Sequence, residues 1–196
     1  RFDRKELGDD WRVSAGDWEI VDGTLRGSGA IVSTRGFPGG DEIGFQRMEF
    51  EAVTDVKTLD LGTESSESVQ VSDISSMLHL KWGADSEGSP LKKGYFFQFG
   101  GFLNTRNMIR RAGEKFEEQK DPAVKIIPGK VHKIVVENDG GKLRMTVDGK
   151  TVLAHEEDAS ILGGGHDKVG FYLYTACRIR NVKVYVKKLG EELGLE

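Results

Sequence analysis

The stretch from residue 130 to residue 153 constrains the fold more than any other. Val131 to Glu137 is β-branched and mostly apolar. Asn138-Asp139-Gly140-Gly141 is rich in residues that tolerate positive φ, so the chain is expected to turn there. Leu143, Met145 and Val147 then alternate with Arg144, Thr146 and Asp148. That period of two marks a half-buried strand. Asp148-Gly149 is a second tight-turn signal, and Thr151-Val152-Leu153 opens the next strand. Three antiparallel strands packed so closely in sequence imply an all-β chain.

The remaining segments extend this pattern. Phe2 to Trp11 reads as an edge strand or arm. Trp18 to Gly27 reads as a hairpin about Asp22-Gly23, and Ala30 to Thr34 as a short strand. In Phe45 to Val53, Met48, Phe50 and Ala52 take one face and Arg47, Glu49 and Glu51 the other. Residues 55–75 show no periodicity and are expected to form a mobile loop or an insertion. Met77 to Trp82 places Leu78, Leu80 and Trp82 on one face and Met77, His79 and Lys81 on the other. Tyr95 to Phe99 is apolar on nearly both faces, as in a central covered strand. Lys115 to Lys120 is charged and reads as a short helix or an extended arm. Val124 to Ile127 reads as a brief strand, and Asp158 to Leu162 as one helical turn capped by Asp158. Val169, Phe171 and Leu173 alternate with Gly170, Tyr172 and Tyr174, and Arg178 to Lys187 closes the set. Roughly ten to thirteen short strands, with turn signals about every ten residues, predict a two-sheet sandwich or a barrel. One domain is expected over 1–188, followed by a tail over 189–196.

Composition narrows the partners. Lys and Arg number 28 against 32 Asp and Glu, so the net charge is −4. A nucleic-acid-binding surface would carry a basic excess. No apolar run approaches the ~20 residues of a membrane span. The single cysteine, Cys177, permits no intrachain disulfide and is read as a buried strand residue. His79, His132, His155 and His166 lie without metal-ligand spacing, so no metal and no cofactor is expected. Asp139, Asp148 and Asp158 do not form a calcium-loop spacing.

Several landmarks carry a family resemblance. Asp17-Trp18-Glu19-Ile20-Val21-Asp22-Gly23-Thr24-Leu25-Arg26-Gly27 resembles the opening of concanavalin A-like jelly rolls. Gly94 to Gly101, Asn138 to Gly149, Val169 to Tyr174 and Arg178 to Val184 continue the likeness. Together, residues 11–188 resemble the 3-keto-disaccharide hydrolase domain family and its laminin-G-like relatives. The resemblance implies two curved antiparallel sheets with a concave, glycan-holding face. It also implies export from a bacterium to the periplasm, the cell surface or the medium, with the leader absent from this chain. Some relatives hydrolyse or eliminate modified sugars and others only bind them. Jelly rolls also often carry a structural calcium near a chain end, on which the sequence is silent.

Candidate residues emerge from side-chain chemistry. Glu49 and Glu51 share a strand face, with backbones roughly 6.5–7 Å apart. Their carboxyls could reach the ~5–9 Å separation of glycosidase pairs. Laminarinase-type enzymes of this fold place three acids as Glu-x-Asp-x-Glu, whereas Val53 fills the third position here. His79 could exchange a proton near neutral pH and joins Glu49 and Glu51 as a catalytic candidate. Lys81 shares its strand face. Arg106, Asn107 and Arg110 supply fixed donors suited to sugar hydroxyls or carboxylates. Gln98 offers an amide, and Tyr172 and Tyr174 offer stacking platforms. These ten residues form the expected saccharide contact set. Binding, catalysis on a glycoside or keto-sugar, and a scaffold role all stay open on the sequence, as does the oligomeric state.

Overall fold

Alternating side chains can bury one face of a strand only if a second sheet covers it. The computed structural model describes residues 6–37, 40–54, 57–60, 67–70, 73–83 and 86–188, and it is almost entirely antiparallel strand. The strands are β1 (Trp11–Ala15), β2 (Trp18–Val21), β3 (Thr24–Ser33), β4 (Ile43–Thr54), β5 (Lys57–Asp60), β6 (Glu67–Gln70) and β7 (Ile74–Leu80). They continue as β8 (Tyr95–Gly100), β9 (Arg106–Arg111), β10 (Glu114–Lys120), β11 (His132–Asp139), β12 (Lys142–Val147), β13 (Lys150–Glu156) and β14 (Lys168–Lys188).

Two layers result. The first runs β10-β9-β8-β7-β14-β3-β1 and the second β13-β12-β11-β4-β14-β3-β2. β3 and β14 belong to both. Gly170 to Leu173 pairs with Gly29 to Val32 in the first sheet. Cys177 to Ile179 pairs with Leu25 to Gly27 in the second, with a register slip between the two blocks. Gly29 sits at this bend with φ +88, and a Cβ there would lie 2.2 Å from the Ala15 carbonyl oxygen. No other residue type fits. The architecture is a concanavalin A-like jelly-roll sandwich of two curved antiparallel sheets.

The interior lies between the sheets. Ile31, Ile74, Leu78, Phe97, Phe99, Phe171 and Leu173 enter from the first sheet. Met48, Phe50, Ile134, Val136, Met145, Val147 and Ile179 meet them from the second. Phe50 and Phe171 touch edge to face across the interface, with ring centroids 5.1 Å apart. The expected hairpins form: Val21 pairs with Thr24 around Asp22-Gly23, and Val147 with Lys150 around Asp148-Gly149. Both residues of each turn have positive φ, which matches the right-handed twist of the flanking strands.

Two segments differ from expectation, and two others settle an alternative left open. Residues 114–120, read as a short helix or an extended arm, take the extended form as β10, antiparallel to β9 across Ala112-Gly113. Residues 124–127 are not a strand, and 158–162 are not helical. That last segment is instead pinned by Tyr95, whose hydroxyl accepts from the Ile161 amide at 2.7 Å and lies 3.0 Å from Ser160 Oγ. The same hydroxyl donates to Glu157, which also takes Arg111 at 2.7 Å. Within the 55–75 stretch, read as a mobile loop or an insertion, β5 and β6 pair antiparallel as a two-stranded sheet. The expected tail over 189–196 lies outside the described residues.

Two backbone irregularities stand close to the outer face of the first sheet. Phe102, Leu103 and Asn104 all have positive φ, which costs about 1–2 kcal/mol per residue. Asn104 holds the turn by accepting from the Ile126 amide at 2.9 Å and donating to its carbonyl at 2.8 Å. In β7, Gly170 pairs with Met77 but Lys168 pairs with Leu80, so one extra residue is inserted. His79 takes this bulge with φ +49. The bulge reverses the expected alternation. Leu78 stays in the interior, and the His79 ring meets Tyr95 edge-on with centroids 6.0 Å apart. Leu80 and Trp82 pass to the other side of the sheet with Met77.

His79 is fully buried, and neither ring nitrogen completes a hydrogen bond. The His166 backbone faces the ring, and the neighbouring His166 imidazole adds repulsion to the positive form. Burial, with that repulsion, pulls the His79 pKa down to about 3. The unfolded chain then binds the proton first, because its histidine titrates near 6.5. Native stability is therefore full above about pH 6.5 and declines as pH falls toward 3, by up to ~1.4 kcal/mol per pH unit. His79→Asn, which tolerates positive φ and does not titrate, should flatten this slope between pH 6.5 and 4 in urea melts. An unchanged slope would mean that His79 is not what senses acid.

Candidate functional site

The sheets leave two outer faces, and the expected contact residues divide between them and the interior. Glu49 and Glu51 lie on the outer face of the second sheet. Glu49 pairs with Arg47 at 2.6 Å, and Arg47 also approaches Glu137 at 3.7 Å. Glu137 in turn meets Arg144 at 3.4 Å. Arg180 donates to Glu51 at 2.7 Å. Hydrogen bonds from Arg180 and Asn181 hold the Glu51 carboxyl below its usual range. Both glutamates line a shallow depression of about 360 Å³ with Lys133, Asn181 and Lys183, beside a bulge of β14. Every carboxylate named on this face already has a cation.

His79 and Asn107 face inward. Asn107 is fully buried, accepts from the Gly100 amide at 3.0 Å and donates to Gln119 at 3.4 Å. It ties β9 to the end of β8. Lys81 is exposed just past β7, beside the 163–166 turn. None of the three shares a face with the glutamates, and Lys81 stands apart from the two inward-facing residues.

The other five converge. Register places Tyr172, Ser75, Gln98 and Met108 in one row across the outer face of the first sheet. Gly170, Met77, Phe96 and Arg110 form the next row. Tyr174 and Arg106 stand at the opposite end of the same face, with Arg106 bonded to Glu118 at 2.9 Å and stacked under Phe102. The face therefore has two characters. Toward Leu80 it is apolar, with Val32, Met77, Leu80, Trp82 and Phe96 packed together and Leu91 and Tyr172 against them. Toward Tyr174 it is polar.

Asp73 anchors the polar end. It precedes β7 and is 7 % exposed. Gln98 donates to its Oδ2, Ser75 donates at 3.3 Å, and the Tyr174 backbone supplies a further bond. Burial nevertheless outweighs these bonds and raises the Asp73 pKa above the usual aspartate value. Tyr172 is raised as well, first by its own burial and then by the charges of Asp73 and Tyr174. Gln98 gives its amide nitrogen to Asp73, while its Oε1 is shielded from water with no partner. Arg110 has a shielded, unbonded Nε, and among the described residues its Nη2 reaches the Met108 sulfur at 3.9 Å and no other acceptor. Buried polar atoms without partners are rare in folded proteins, and this face carries three, since Trp82 Nε1 in its apolar half is also shielded and unbonded. Tyr174, Phe102 and Leu103 are 69 %, 56 % and 70 % exposed and form an apolar rim at this end.

Asp73 is the residue that sequence reading missed. It closes the aperiodic 55–75 stretch, and its only local signal is that it directly precedes Ile74-Ser75-Ser76. Among the described residues no cluster of three or more His, Cys, Asp or Glu could hold a metal ion.

No family model and no curated protein matches the sequence. Solved structures do match the fold. A carbohydrate-binding module from Bacillus subtilis, CBM66, superposes with TM-score 0.61 at 13 % identity, covering 91 % of this chain and 97 % of that one. The Emp47p carbohydrate recognition domain gives TM-score 0.61 at 11 % identity, covering 94 % and 92 %. A crystal structure described as a glycosyl hydrolase by assignment, from Parabacteroides distasonis, gives TM-score 0.59 at 16 % identity, covering 96 % and 92 %. At these identities the likeness establishes the jelly-roll fold.

The pKa of Asp73 can be read directly. Carbon-detected NMR titration should show its carboxyl changing state above the ordinary aspartate range, and Gln98→Ala, which removes a donor to the carboxylate, should raise it further. An Asp73 midpoint at or below that of solvent-exposed aspartates would refute the buried placement.

Proposed function

We propose that this chain binds a saccharide on the outer face of its first sheet. The observation that carries the reading is the pair of shielded, unpartnered groups on that face, Gln98 Oε1 and Arg110 Nε, with Asp73 bonded to Gln98 and an exposed Tyr174 at the polar end of the same face. Sugars offer what such a face lacks. Hydroxyls both donate and accept, so one can serve Gln98 Oε1 while another donates to Asp73. The C–H face of a pyranose packs on Tyr172 or Tyr174, whose rings are apolar with a polar tip. Neighbours of the same fold described as carbohydrate-binding and carbohydrate-recognition domains support this choice of ligand class. The reading extends to an exported location, on the strength of the resemblance to exported sugar-acting domains.

A second reading, hydrolysis or elimination on a glycoside or keto-sugar as in the 3-keto-disaccharide hydrolase family, draws on one observation. Asp73 is a carboxyl whose burial favours the protonated form, the state a general acid requires. A mass-spectrometric screen of oligosaccharides for cleavage separates the two readings.

Calorimetry against a panel of neutral and acidic oligosaccharides tests binding itself. Asp73→Ala and Gln98→Ala should each weaken the best ligand about tenfold or more, roughly 1.4 kcal/mol. Glu51→Gln, on the opposite sheet, should leave affinity unchanged. Failure of every saccharide to bind, or equal loss from all three variants, would dispose of the assignment.

A further inference from the structure

We infer that the site selects saccharides bearing a carboxylate, and that Arg110 is the residue that selects them. This rests on the saccharide-binding reading above and adds the ligand's charge to it. The arginines of β9 differ in how they are paired. Arg106 is neutralised by Glu118 at 2.9 Å. Arg111 is neutralised by Glu157 at 2.7 Å. Among the described residues, Arg110 has no carboxylate partner, and its only side-chain contact with a hydrogen-bond acceptor is the weak one to Met108 sulfur. It is only partly exposed, so water does not fully replace the missing anion.

The neighbouring charges point the same way. Register sets Lys115 directly across from Arg110 and Lys120 across from Arg106. Against Arg106, Arg110, Lys115 and Lys120 this part of the face offers Glu118, which already holds both Arg106 and Lys115 at 2.9 Å. A positive excess therefore centres on Arg110. Asp73 does not offset it. It lies two strands away and two outer-face rows along, about 15 Å by standard strand spacings.

The apolar floor defines how a ligand would lie. Phe96 stands directly opposite Arg110 on β8, and Tyr172 meets Phe96 edge-on with centroids 6.1 Å apart. Phe96 is nearly covered, so Tyr172 supplies the accessible ring. A pyranose resting against Tyr172 would direct a ring carboxylate toward β9 and its hydroxyls toward Gln98. The planar guanidinium matches a carboxylate in a two-bond fork, which an ammonium does not reproduce.

Matched ligand pairs test this. Galactobiose and digalacturonate differ mainly by the oxidation of C6 to a carboxylate, sialyllactose adds a whole carboxylate-bearing sugar to lactose, and sulfated lactose separates carboxylate from general anion binding. Calorimetry should show the acidic member of at least one pair binding about tenfold tighter, with affinity falling as salt is added. Arg110→Gln should reduce that ligand to the neutral level and leave the neutral partner unchanged, while Arg110→Lys should retain only part of the preference. Melting temperatures confirm that the variants fold. Three results would each overturn the selectivity while leaving saccharide binding standing. These are equal affinity within both pairs, a preference for sulfate over carboxylate, and an equal loss of acidic and neutral binding in Arg110→Gln. Absence of binding to all five ligands, in a protein that also fails the wider panel, would remove both proposals.

Discussion

The bend that β3 and β14 share is the constraint on which the rest of the structure depends. Two separate sheets would be free to slide against each other. Here two long antiparallel strands pass from one layer into the other, so the facing positions of both layers are fixed together. The close approach of the Ala15 carbonyl to Gly29 shows how tightly the corner is drawn. The same bend decides what β14 displays. Before it, Phe171 and Leu173 point inward, and Tyr172 and Tyr174 point out from the first sheet. After it, Cys177 and Ile179 point inward, and Arg180 faces out from the second sheet against Glu51. One strand thus delivers aromatic rings to one outer face and a cation to the opposite one.

The two outer faces differ in how their polar groups are satisfied. On the second sheet, Arg47, Glu49, Glu137 and Arg144 form a chain of opposite charges, and Glu51 with Arg180 forms another pair. Pairs this exposed contribute little stability, about 0–1 kcal/mol each. Their effect is to occupy the carboxylates named on that face, although Arg47 Nε is shielded and unbonded there as Arg110 Nε is on the first sheet. On the first sheet, the groups that are occupied are bonded to one another in a way that leaves valences over. Gln98 satisfies Asp73 and keeps its own carbonyl oxygen unbonded, and Arg110 retains a full guanidinium. Stability alone does not account for such a face, because shielded polar atoms without partners are destabilising by about 1–3 kcal/mol each.

Much of the fold was legible in the residues because strand period and turn chemistry are local. Leu143, Met145 and Val147 could be placed in the interior from alternation alone, and Asp22-Gly23 and Asp148-Gly149 announced their hairpins. The β9–β10 hairpin was not legible, because Ala112 occupies a positive-φ position that alanine rarely takes. His79 was misplaced for a different reason. A bulge is chosen by tertiary packing, and once it occurs every later side chain of the strand changes sides. Leu80 and Trp82 moved with it, from the expected interior to the apolar half of the outer face. The site was legible only in part. Gln98, Arg106, Arg110, Tyr172 and Tyr174 do share a face, since each lies on a regular strand. Glu49 and Glu51 follow the same alternation, but which sheet carries them depends on long-range pairing, which period does not encode. Asp73 gave no periodic signal because it stands where β7 has not yet begun.

The separation of the acids bears on whether this face reacts or only binds. Glycosidase pairs need two carboxyls within about 5–9 Å. Glu49 and Glu51 lie on one outer face and Asp73 on the other, with the interior of a sandwich, sheets about 10 Å apart, between them. Asp73 is therefore not paired with either glutamate. The titratable neighbour it does have is Tyr172, and burial raises both. Both shifts favour the protonated form, but among the described residues neither group has a second carboxyl within the reach that a glycosidase pair requires. A binding face requires less. It needs acceptors and donors held in place by bonds that do not exhaust them, an apolar ring to lie against, and a route for the ligand to satisfy what the protein leaves open. Gln98, Tyr172 and Arg110 meet those requirements without any second catalytic group, which is why recognition is the more economical account of this face.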